Sequence, residues 1–182
     1  MVASFLPKMR VIGSFVSRVG AATIPAPCVT ESSAMTADRS FHIPEDRHYQ
    51  REHHLWAKPD ADTGNVRVGI DAIGLESLGE LAYVALKDVG TQVARGESIG
   101  TLEAAKMTTN IVAPISGTIT GRNDAVLADP LIVNTDSYDR GWLVEIAATD
   151  WDADAATLVS GAAIPKWVAA AAARFESEPG AD

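Results

Sequence analysis

Apolar and polar positions alternate in short bursts along the middle of this chain. Val66, Val68 and Ile70 alternate with Arg67 and Gly69, the period-two pattern of a half-buried strand. After Pro114, Ile115, Gly117 and Ile119 alternate with Ser116, Thr118 and Thr120 in the same way. Residues 53–56 and 142–146 predict two further strands. Leu81–Leu86 is apolar at nearly every position, which predicts a strand buried on both faces. Turn residues separate these runs. Residues 59–65 are Pro, Asp, Ala, Asp, Thr, Gly and Asn, and a second turn covers 137–141. Ala72–Leu78 predicts a single helical turn that ends at Gly79. Glycines at 90, 96 and 100 make any strand between Val89 and Ala104 short and bent. Short strands with turn signals every eight to twelve residues or so predict a small sandwich or barrel.

The pattern changes after Ala148. Residues 150–159 and 165–176 predict two helices, the second with Pro165 in its first turn and a run of alanines. Leu158, Val159, Trp167 and Val168 would pack them on the strands. There is also an internal echo: Val-Gly-Thr-Gln-Val at 89–93 resembles Ile-Ser-Gly-Thr-Ile at 115–119, with Lys106 roughly midway. A quasi-twofold pair of half-motifs places the connecting hairpin at one end of the sandwich. Lys106 lies between two apolar stretches bounded by Gly or Pro, so the hairpin presents one amine at its tip. By itself a lysine in a turn is an ordinary solvated residue. In this setting it becomes a candidate for enzymatic acylation, which removes the charge. Lys58 and Lys87 read as residues of other turns and lack the flank. Glu103, on the approaching strand, reads equally well as a contact for a modifying enzyme and as a solvated strand residue.

Composition narrows the class. The 182 residues, 47% hydrophobic, suffice for one domain with a sizeable core plus tails. A net charge of −9 argues against non-specific nucleic-acid binding and against a basic membrane patch. Residues 1–30 hold Lys8, Arg10 and Arg18 and no acid, leaving 12 basic residues with all 24 acids in the remainder. That leader reads either as an organellar transit peptide or as sequence upstream of a start at Met35, the reading favoured for its low arginine content. The domain expectation is therefore a tail over 1–47, a strand-built domain over 48–147, and helices with a tail over 148–182. The lone Cys28 allows no internal disulfide and fits a reducing compartment. No apolar run approaches the ~18 residues of a membrane-spanning helix. His48, His53 and His54 with Asp46 and Glu52 match no usual zinc spacing, and no metal is expected. Asp152 and Asp154 lie near a helix start, where acids favour the dipole. No nucleophile elbow or phosphate loop occurs, so no catalytic residue and no enzyme activity are expected in the isolated chain.

From about residue 53 to 173 the chain resembles the glycine cleavage system H protein family. The resemblance rests on several fragments in order. They are His54 and Trp56; Val68-Gly69-Ile70; Leu78-Gly79 with Val84 and Leu86; and Val89-Gly90 with Val93 and Gly96. Glu103 and Lys106 follow, then Ala113-Pro-Ile-Ser-Gly117, Pro130 with Ile132-Val-Asn134, and Gly141-Trp-Leu-Val-Glu-Ile146. It implies a mainly β fold, a barrel-sandwich hybrid of the lipoyl/biotinyl-carrier type with short N-terminal elements and two C-terminal helices. It also implies lipoate on Lys106, installed by a lipoyl transferase or ligase. The arm would carry an aminomethyl group among glycine decarboxylase, aminomethyltransferase and dihydrolipoamide dehydrogenase. A cytoplasmic monomer is implied, or a protein of the mitochondrial matrix if residues 1–30 are a transit peptide.

Two departures bear on the cargo. Family members usually carry an acid just before the tryptophan and another four residues beyond the lipoyl lysine; here these positions hold Leu55 and Asn110. Those acids are the implied partners of the cargo ammonium, and a charge-assisted bond is roughly twice as strong as a neutral one. Ser137 also stands where a proline is common. A lipoate carrier serving a heterodisulfide-reductase-like complex is the alternative implied by these changes. Met107 matches one of the two methionines that flank a biotinyl lysine, whereas Ala105 does not. A biotin carrier and an interaction-only domain are the remaining alternatives.

Overall fold

The structure, a computed structural model, describes residues 41–177. The leader over 1–30, Cys28 and Met35 lie outside these residues. In chain order the elements begin β1 (His48–Gln50), β2 (Leu55–Pro59), β3 (Val66–Ile70), α1 (Ala72–Leu78), β4 (Leu81–Leu86), β5 (Gln92–Val93) and β6 (Ser98–Ala104). They continue β7 (Thr108–Val112), β8 (Gly117–Arg122), α2 (Asp124–Ala128), α3 (Leu131–Thr135), β9 (Trp142–Ala148), α4 (Trp151–Ala155) and α5 (Ile164–Ser177). A 3-10 turn, Gly161–Ala163, precedes α5.

The strands form a six-stranded sheet in the order β1-β2-β3-β9-β8-β5 and a three-stranded sheet in the order β4-β6-β7. Every pairing is antiparallel. The two halves of the sequence echo are bonded to each other. Gln92 pairs with Thr118 and Val93 with Gly117; the Gly90 N–H donates to Ile119 O at 2.7 Å, and the Ile119 N–H to Thr91 O at 2.9 Å. The chain between them runs out to the second sheet and returns. Inward residues of both sheets, among them Val68, Ile146, Val84, Leu102 and Ile111, share one core. Burying each such side chain contributes about 1.5–3 kcal/mol.

A second apolar cluster closes the outer face of β1 and β2. Trp56 and Tyr49 are fully buried there with Val159 and Ile164, and Trp167 and Val168 of α5 pack on them. The Trp56 indole N–H donates to Ser137 O at 3.0 Å, and the buried Arg47 guanidinium lies 4.6 Å from the ring centroid. Trp56 faces Gly69 across the ladder. A Cβ on Gly69 would stand 2.5 Å from the indole, so only glycine lets the ring lie against the strand.

Several sequence expectations change in the structure. The strand expected over 53–56 begins at Leu55, because His53 and His54 belong to the β1–β2 turn. His54 has φ 53°, which breaks the extended run, and its carbonyl accepts from the Asp71 N–H. β4 is not buried on both faces: Leu81 and Val84 are covered, whereas Tyr83 is 54% exposed. A register shift between Leu81 and Tyr83 re-phases a strand whose sheet has only one covered face. Lys58 lies in β2, not in a turn. The helix expected over 150–159 shortens to α4, since Val159 leaves it to exchange two 2.8 Å hydrogen bonds with Tyr49. Among the described residues no helix is long and apolar enough to cross a membrane.

The Trp56–Gly69 contact makes a direct prediction. Gly69→Ala should lower stability by about 1–3 kcal/mol through overpacking, read as a fall in the midpoint of urea unfolding. Gly64→Ala probes backbone strain alone, because its φ is +71° and a Cβ there meets nothing within 4 Å.

Candidate functional site

Lys106 occupies the tip of the β6–β7 hairpin. Glu103 pairs with Thr108, and the Ala104 N–H donates to Met107 O at 2.9 Å, leaving Ala105 and Lys106 as the loop. Neither has a positive φ, so this is not one of the primed turns that usually close so short a hairpin. External main-chain bonds hold it instead. The Ala105 N–H donates to Glu80 O at 3.0 Å. The short segment around Glu80 is itself clamped by Asn134, whose Nδ2 donates to Gly79 O at 2.9 Å and whose Oδ1 accepts from the Leu81 N–H at 2.9 Å. α3 carries Asn134 into place, with its Val133 buried in the core.

Lys106 is exposed and, among the described residues, makes no ion pair or hydrogen bond. Lys58 and Lys87 differ: the first is held by Asp46 at 2.6 Å and the second by Glu97 at 2.9 Å. In both cases that hydrogen bond leads in holding the partner carboxyl below its ordinary pKa. Glu103 is exposed on β6 beside the tip, facing Thr108 across the hairpin and Tyr83 on the other side.

A groove of about 220 Å³ opens beside the hairpin. Met107, Thr109 and Asn110 form one wall, and Glu52, His53 and His54 form the other. Its apolar floor includes Leu55, Ile70, Leu78 and Leu102. Leu55 and Asn110 therefore share the groove, although Leu55 is only 3% exposed and belongs to the core, whereas Asn110 is exposed.

The glycine cleavage H-protein family model matches residues 47–170. The chain belongs to the glycine cleavage H-protein family. The glycine cleavage system H protein of Micrococcus luteus is 41% identical over 108 residues, covering 59% of this chain and 84% of that protein. That of Halorhodospira halophila is 42% identical over 108 residues, covering 59% and 82%. A glycine cleavage system H protein from Mycobacterium marinum, known from a crystal structure, superposes with a TM-score of 0.59 at 36% identity. The match covers 70% of this chain and 98% of that one. The fold is accordingly the barrel-sandwich hybrid of this family.

Sequence reasoning picked out Lys106 and Glu103 but missed four residues that shape their surroundings. Asn134 sat in a matched fragment without a role. Glu52 and His54 were set aside with a metal site; in the structure Asp46 of that group bonds Lys58, and His48 packs edge-on against Trp151. Asp71, the residue before α1, is fully buried. Asp154 does more than favour a dipole: its Oδ2 accepts from the Ser116 N–H at 2.6 Å.

The clamp predicts the behaviour of two variants. Asn134→Ala orphans the Leu81 N–H and Gly79 C=O and should cost about 1–3 kcal/mol, with faster hydrogen exchange at the Ala105 amide. Asn134→Asp keeps the acceptor for Leu81 and should lose less on both measurements.

Proposed function

We propose that this chain is a non-catalytic lipoyl carrier whose Lys106 holds lipoate and shuttles a group between partner enzymes. The observation that carries this reading is an exposed Lys106, unpaired among the described residues, on a hairpin held by main-chain bonds. The surroundings fit such a group. An aliphatic arm needs an accessible amine for its amide and an apolar surface to lie on, and the groove beside Met107 has that floor. Bound there, the group supplies a dithiol that accepts and releases cargo. The chain's own part is to hold the attachment point rigid, present it to a lipoyl transferase or ligase, and dock with the partners.

The M. luteus and H. halophila proteins are named as components of the glycine cleavage system, which favours glycine decarboxylase, aminomethyltransferase and dihydrolipoamide dehydrogenase as partners here. The acidic surface would speed encounters with basic partner faces. One observation favours a second reading of the cargo. Neither Leu55 nor Asn110 offers a carboxylate for an ammonium, and Glu52 supplies the only one among the residues lining the groove. A cargo without an amine, as in an H-like carrier for a heterodisulfide-reductase-like complex, is the reading those residues support.

Intact mass spectrometry after co-expression with a lipoyl ligase should show one added lipoyl group, absent in Lys106→Ala. No added mass would support an interaction-only domain, and labelling by biotin ligase alone would reassign the cofactor. Lys106→Ala should match unmodified wild type within about 0.5 kcal/mol, as surface changes do.

Cargo retention is tested separately, with lipoylated protein loaded by glycine decarboxylase and no second enzyme present. Asn110→Asp should release the aminomethyl group more slowly than wild type, by the gain of one partly solvated charge-assisted bond. Leu55→Glu is unsuitable, because it would bury a carboxylate in the core. Equal release by wild type and Asn110→Asp would remove the reason to doubt the aminomethyl cargo.

A further inference from the structure

His54 and Asp71 form a couple at the groove that the carrier role does not require. Among the described residues His54 is the only non-glycine with positive φ, at 53°. Such backbone strain is retained where surrounding structure over-determines it, and it clusters at functional sites. The His54 Nδ1 lies 3.5 Å from Oδ1 of Asp71, whose side chain is completely buried. That oxygen also accepts from the Gly74 N–H at 2.8 Å, capping α1. The other oxygen, Oδ2, is buried without a hydrogen-bond partner, as is Nδ1 itself. An unpaired buried carboxylate is costly, and a neighbouring positive charge offsets that cost.

The imidazole is fixed from its other side as well. Its ring stacks on Trp167 of α5, with centroids 6.2 Å apart and planes 26° from parallel. A Cβ on Gly74 would come within 2.6 Å of the His54 Cβ, so α1 closes tightly over the residue. Among the described residues the remaining ring nitrogen, Nε2, has no hydrogen-bond partner. His54 lines the groove shared with Met107 and Asn110 and a second cavity with Arg51, Ser77, Trp167 and Arg174. The charged or titratable groups around it are thus Asp71 at the N-cap of α1, Arg174 from α5, and Arg51, Glu52 and His53 from its own turn. The hairpin wall contributes only Met107, Thr109 and Asn110.

We infer that His54, positioned by Asp71, exchanges a proton with the thiols of an arm attached at Lys106. The inference rests on the lipoyl-carrier reading. His54 takes the proton through Nε2: the S–H bond breaks, an N–H bond forms, and the electron pair stays on sulfur. Asp71 stabilises the positive charge the ring acquires. In the reverse direction the same N–H returns its proton to a departing sulfur. The thiolate is the nucleophilic form of a thiol, and a neighbouring imidazolium favours it. His54 thereby raises the reactivity of the arm before any partner enzyme binds.

The test uses the lipoylated full chain, reduced with a phosphine and alkylated with iodoacetamide across a pH series, with free dihydrolipoamide as reference. Intact mass first establishes the lipoyl group on each protein, and no added mass sinks the carrier reading and this inference with it. Two variants preserve the local structure. Asn tolerates positive φ, so His54→Asn keeps the turn; Asn is also a good helix cap, so Asp71→Asn keeps α1. Wild type should alkylate faster than dihydrolipoamide at pH 7. His54→Asn should move the rate profile about one pH unit higher, a roughly tenfold loss at pH 7. Asp71→Asn should fall between the two while keeping its melting temperature close to wild type. A wild-type rate equal to that of dihydrolipoamide, or His54→Asn reacting as fast as wild type, overturns the inference.

Discussion

Residues 90–93 and 117–119 are hydrogen-bonded to each other, and that pairing ties off both ends of the excursion that carries Lys106. Within the excursion the chain has few choices. β6 and β7 pair with each other and with β4, and the glycine at 100 lets β6 approach the carbonyl of Ala85, where a Cβ would collide at 2.2 Å. The reach of the hairpin is therefore set at its base, far from its tip. The tip needs only one outside bond, from Ala105 to Glu80, and the Asn134 clamp supplies the rigidity behind it.

The groove beside the tip combines parts with different origins. Its floor is core: Leu55, Ile70 and Leu102 would be buried for stability whatever the surface did. Its polar rim comes from the β1–β2 turn and from the outer face of β7. Because floor and rim are contributed by different elements, the polar groups can be exchanged without disturbing the packing beneath. Leu55 is the exception. It joins the rim to the floor, and its burial removes it from the set of positions where a charge is affordable.

Much of the fold was legible because the relevant signals are local. The alternation at Val66, Val68 and Ile70 and the echo around Lys106 translate directly into β3 and the β5–β8 pairing. The small α2 and α3 were not anticipated, since five residues each give no periodic pattern to read. β4 misled because its apolar residues outnumber its covered positions. The candidate site divides along the same line. Lys106 declares itself through its flanks, whereas the His54–Asp71 couple joins residues from different elements through a backbone angle that histidine rarely adopts. Asn134 was equally hidden, because its partners at 79 and 81 lie more than 50 positions away.

The grip on the hairpin tip is made by main-chain atoms and by an asparagine remote in sequence. Ala105, Met107 and Thr109 contribute no side-chain hydrogen bond to it. Substitutions at these flanks can therefore accumulate while the amine keeps its place in space. A modifying enzyme that identifies Lys106 by its posture would tolerate such drift, and one that reads the adjacent side chains would not.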